Sequence, residues 1–122
     1  MEKIPENKLS MLVKYLERRG VYVYETKGEP FFRGRKDLPS QIYLPENPTV
    51  LQVKHELSHW LDFKRLGFDE YKKLSVYQRE SMVLDRLQSN RRIWEDLNQF
   101  ERDFSINYVE KIRLGYKPGE RI

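Results

Sequence analysis

The stretch from residue 47 to residue 67, NPTVLQVKHELSHWLDFKRLG, constrains this chain more than any other. Asn47 suits an N-cap, Pro48 the first helical position, and Gly67 a stop, so the spacing predicts one long helix between them. Val50, Leu51, Val53, Leu57, Trp60, Leu61 and Phe63 are spread round that helix rather than along one stripe, which implies burial on more than one side. Yet the same helix carries KHELSHW, with both histidines of the chain and a glutamate between them. Polar groups in a helix buried this way need a compensating partner.

Residues four apart on a helix lie on one face, one turn above the other. His55 and His59 can therefore offer two imidazoles to one cation, and neutral imidazole is a good zinc ligand. Glu56 projects about 100° round the helix from His55, where it can stand beside a metal without binding it and take a proton from activated water. A lone helical histidine is usually structural. Two in this pattern, with the glutamate in place, are much harder to ascribe to chance.

Two ligands are too few for a catalytic zinc, which takes three from the protein and leaves a position open. No third histidine exists and the chain has no cysteine, so the remaining ligand must be a carboxylate. Glu80, in YQRESMVLD, is the stronger candidate, because it opens a helix expected to fold back on the first across a short loop. Asp62 competes, since positions 55, 59 and 62 share a face. Three ligands from one straight helix would strain a tetrahedral site, which suits Asp62 better to orienting a histidine from behind. Asp69 and Glu70 fall in the expected loop after Gly67 and are weaker. Tyr77, Arg79 and Tyr108 are candidates to polarise a substrate carbonyl or steady an oxyanion, although packing is the commoner role for any one of eight tyrosines.

The remaining elements complete an α+β domain spanning the 122 residues. KLSMLVKYLERR forms an N-terminal helix ended by Gly20; VYVYE, FFRG and SQIYLP form a small sheet of two or three strands. Ser75 with Gln78, and Asn98 with Glu101, are capping-box signatures that open two further helices after the active-site helix. Gly115 should stop the last one, leaving 113–122 as a frayed tail. Trp60, Trp94 and Phe100 are expected in the core, and SNRRIW at a helix junction. If SQIYLP is a sheet edge, it could pair with an extended peptide by strand addition.

Composition narrows the partners. The formal charge is +4 and the pI about 9.3, but basic and acidic residues alternate, as in KYLERRG and FERDF, without the like-charge blocks of about five or more that mark a nucleic-acid tail. No apolar run approaches a membrane span. MEKIPENKLS lacks the apolar core of a signal peptide, so any export signal is expected elsewhere, on a longer parent chain or a partner.

Residues 40–110 resemble the zincin-like metallopeptidase toxin domains of bacterial polymorphic toxin systems. The resemblance rests on the HExxH helix with its trailing Gly67, the Arg79-Glu80 pair, and the spacing of Trp94, Leu97 and Glu101 with Tyr108 beyond. It implies a minimal zincin-like fold, a Zn2+ cofactor held by His55, His59 and Glu80, and Glu56 as catalytic base. It also implies a protein or peptide substrate, a cognate immunity protein, and secretion or delivery within a larger toxin to act in the cytoplasm of a target cell. Two rival expectations differ in class. A nucleic-acid-directed toxin or binding module would bind in a salt-dependent way and ignore chelators; an inactive zincin scaffold serving protein–protein interaction would hold little zinc.

Overall fold

The computed structural model describes residues 1–118. Helix α1 (Glu6–Glu17) leads into strands β1 (Val21–Glu25), β2 (Phe31–Arg33) and β3 (Ser40–Leu44), followed by helices α2 (Val50–Leu66), α3 (Phe68–Lys73), α4 (Val76–Ser89), α5 (Arg91–Asp96) and α6 (Gln99–Arg113). The architecture is α+β, as expected. Short helices α3 and α5 are added to the two long ones beyond α2. Asp69 and Glu70 consequently lie in the first turn of α3 rather than in a loop, with largely exposed side chains paired to Lys36 and Lys73. The expected frayed tail falls partly outside the described residues, at 119–122.

The sheet order is β1-β3-β2, with β3 parallel to β1 (Val21 opposite Ser40, Glu25 opposite Leu44) and antiparallel to β2 (Phe32 opposite Ile42). The strand at 40–44 is therefore central, not an edge, and cannot accept an added strand. The edges are β1 and β2. Alternation along β3 sends Ser40, Ile42 and Leu44 into the core, while Tyr43 on the other face stacks between Tyr24 and Phe31.

Helix α2 begins two residues later than the Asn47 cap would place it. Thr49 is the N-cap, in a complete capping box with Gln52, and Asn47 instead takes a left-handed conformation at φ 51°. The boxes Ser75–Gln78 and Asn98–Glu101 open α4 and α6 as their sequences imply. Gly67, at φ 83°, ends α2 in a conformation that a side chain would strain. Gly34 is required for another reason: any β-carbon there would collide with the ring of Phe63 on α2, so the strand could not approach the helix.

Helix α2 is buried on two sides, because two apolar clusters meet on it. Val53 and Trp60 pack with Leu16, Val21, Phe32, Ile42, Leu44 and Tyr71 against the sheet. Leu51 packs on the opposite side with Val83 and Leu87 of α4 and with Leu97. Trp94 only borders that second cluster, and Phe100 is 65% exposed on the outer side of α6, so it is not core. Burial from both sides fixes the rotation of α2 about its axis. Its polar face can then open in only one direction.

Candidate metal centre

That face carries His55, Glu56 and His59, and Glu80 of α4 comes to meet it. One carboxylate oxygen of Glu80 lies 2.9 Å from Nε2 of His55, and the other contacts Nε2 of His59. One ligand atom from each of the three residues falls within 4.8 Å of the other two, the scale set by ligand bonds of about 2 Å to a shared zinc. His59 and Glu80 are buried, while His55 keeps an accessible edge. Two imidazole nitrogens and one carboxylate oxygen, converging from two packed helices, form a donor set that fits a divalent cation.

The electrostatics are those of a tightly coupled cluster. Burial disfavours the charged form of His55, but the Glu80 carboxylate beside it more than offsets this and raises the imidazole to about 9. Burial likewise opposes ionisation of Glu80, and the two imidazoles overcome it, holding the carboxyl well below the usual range. The carboxylate is therefore negative at neutral pH and ready to bind a cation.

Behind His59 stands Tyr71 of α3, its hydroxyl 3.3 Å from Nδ1. Arg79 braces this tyrosine: one guanidinium nitrogen donates to the Tyr71 carbonyl at 3.1 Å, and the cation lies 4.4 Å from the ring centre. Burial pushes the Tyr71 phenol above its ordinary range against the pull of Arg79, so it stays neutral. Arg79 thus lines the cleft and is engaged with Tyr71. Sequence reasoning missed Tyr71. It lies on a six-residue helix with no strong periodic signal, and only its position in the folded chain brings it to His59.

Asp62 does not orient a histidine. It is buried against Arg86 of α4, with Arg65 as a more distant partner, so its charge ties α2 to α4. Tyr77 is 40% exposed and lies outside the cleft. Tyr108 of α6 does face it, edge-on to His55 with ring centres 5.9 Å apart. Its phenol is pushed up by burial and by the charges of Glu80, Glu29 and Glu56, so it keeps its proton and can donate it in a hydrogen bond. Glu56 is 4% exposed and lines the same cleft, which holds about 80 Å3 and is bordered on the sheet side by Phe31 and Phe32 of edge strand β2.

An α+β domain whose longest helix brings a His-Glu-x-x-His sequence to a buried carboxylate has the make-up of a small metal-dependent enzyme. The chain belongs to the family described as metallopeptidase toxin 4, whose sequence model matches residues 32–115, more than half of its length, with His55, Glu56, His59, Tyr71, Glu80 and Tyr108 inside the match. It is therefore a metallopeptidase toxin domain, a class that works with a metal cofactor on protein or peptide. No curated protein and no solved structure matches it significantly. Among the described residues, no helix is long and apolar enough to cross a membrane.

Proposed function

We propose that the domain is a zinc peptidase whose ion is held by His55, His59 and Glu80. The observation that carries this is the convergence of both imidazoles on the Glu80 carboxylate. A soft-to-borderline ion that favours nitrogen, with one oxygen, suits this donor set better than magnesium or calcium, which prefer all-oxygen sites. Bound there, zinc supplies a Lewis acid that acidifies a water and polarises the scissile carbonyl.

The chain's own residues do the rest. Glu56, beside the ligands on α2 but not in the triad, takes the proton of the attacking water and returns it to the leaving amine. Tyr108, kept protonated, donates a hydrogen bond to the oxygen that becomes negative as the carbonyl is attacked. Edge strand β2 borders the cleft through Phe31 and Phe32, and is the strand that an extended substrate would pair with.

The family's name supports a toxin that acts after delivery into a target cell; the same reading has it carried by a longer polymorphic toxin, with a cognate immunity protein guarding the producer. Glu56→Gln tests the mechanism. The variant keeps its metal and loses at least about a hundredfold in peptide cleavage, the usual reach of a general base; undiminished proteolysis would remove Glu56 from the reaction.

A further inference from the structure

A second cavity, of about 310 Å3, opens beside the metal-site cleft and shares with it His55, Glu56, Glu80 and Tyr108. Its chemistry changes with depth. At the triad end stand polar and charged groups; away from them the walls are Leu51 of α2, Val83, Leu84 and Leu87 of α4, and Val109 of α6. Leu51, Val83 and Leu87 are nearly inaccessible and belong to the second apolar cluster, so the floor of the chamber is fixed by core packing. Two other polar side chains in the wall are engaged locally: Ser105 donates to the Glu101 carbonyl, and Gln52 accepts from the Thr49 amide.

The chamber is about twice the volume of an apolar cavity of roughly 150 Å3 that holds benzene. Its mouth carries the carboxylates of Glu29, Glu56 and Glu80, and among the described residues no lysine or arginine lines it. An acidic side chain would be repelled at the entrance, and a basic one would bring its charge against a hydrocarbon floor. A group seated here extends directly from whatever lies at His55 and Glu56, because those residues are part of both cavities.

We propose that this chamber receives a large apolar side chain, aromatic or of the leucine and methionine kind, from the substrate residue flanking the scissile peptide bond. The proposal rests on the peptidase reading of the triad, and it assigns that peptidase a substrate class: protein segments with a bulky apolar residue beside the cleaved bond.

Two measurements on the full chain separate the two ideas. The zinc-loaded protein is incubated with a degenerate peptide library and the residues flanking each cut are counted. Bulky apolar residues should exceed alanine and glycine at one flanking position by at least tenfold, in line with the roughly 10- to 200-fold discrimination that one methylene provides in an apolar pocket. Ser105→Phe, which fills the chamber from α6, should abolish that preference while zinc content stays the same; Leu84→Phe repeats the test from α4 if the first variant folds poorly. In parallel, the methyl resonances of Leu51, Val83 and Val109 are followed on adding N-acetyl-phenylalaninamide or N-acetylglycinamide, and only the first should shift them. Cleavage without apolar preference overturns the assignment and leaves the peptidase standing. Shifted methyls without any cleavage overturn the peptidase and support the chamber's choice of apolar groups. Methyls unmoved by both probes overturn the chamber.

Discussion

His59 is approached at both ring nitrogens, by Glu80 at Nε2 and by the Tyr71 hydroxyl at Nδ1. A histidine that gives Nε2 to a metal carries its proton on Nδ1; with an ion bound, that N–H would donate to the Tyr71 oxygen 3.3 Å away and hold the ring's orientation. Tyr71→Phe should weaken zinc binding by about 10- to 100-fold, the usual cost of losing such a partner, while the metal-free protein unfolds at nearly the same denaturant concentration. A competitive chelator titration reads the affinity; unchanged binding would reduce Tyr71 to packing. His55 supplies a second prediction. With its pKa raised to about 9, its interaction with Glu80 stabilises the metal-free fold fully below the ordinary value of 6.5, and this stability fades as pH rises through 9. Glu80, with its pKa lowered, contributes above its ordinary 4.5 and loses its contribution on acidification below that. Metal needs the neutral imidazole, so zinc affinity should climb with pH up to about 9 and then level off, opposite to the trend in metal-free stability. Thermal melts with and without zinc from pH 6.5 to 9 distinguish the two trends.

Helices α2 and α4 are joined at two polar points, Glu80 with the histidines and Arg86 with Asp62. Asp62 is buried, and removing its partner leaves an uncompensated charge. Arg86→Ala should therefore destabilise the protein by roughly 3 kcal/mol, as expected for half of a broken buried pair; urea unfolding measures it, and a loss below about 1 kcal/mol would mean that water or Arg65 replaces the guanidinium. What could be foreseen at this scale follows a physical divide. Helix starts at Ser75 and Asn98 were legible because a capping box is complete within four residues. The same signature at Thr49 and Gln52 outranks the Asn47-Pro48 pair, since its two side-chain oxygens satisfy two backbone N–H donors at the helix start. The triad was legible because His55 and His59 share a helix and Glu80 opens the next long one. Asp62 and Tyr71 were not, because their partners depend on how α3 and α4 rotate against α2. Strand order escaped for the same reason: hydrophobic alternation identifies β3 as buried on one face, but its central place depends on pairing with strands distant in sequence.

At the scale of the whole molecule, the two apolar clusters hold α2 from either side and the triad joins α2 to α4 across the open face. A metal there binds only the folded arrangement, so it should stabilise the entire domain. Zinc at about a thousand times its dissociation constant adds ~4 kcal/mol, which for a domain of this size raises Tm by on the order of 10–20 °C. Chelation should reverse the gain, and a melt indifferent to zinc and chelator alike would argue for an inert scaffold. The most direct measurement is elemental analysis of the purified protein beside His59→Ala and Glu80→Ala, with circular dichroism to check that both variants fold. Zinc should be found at one ion per chain in the parent and be lost from both variants. Full zinc occupancy in folded Glu80→Ala would contradict the account, because the ion would then be held without the carboxylate on which both histidines converge.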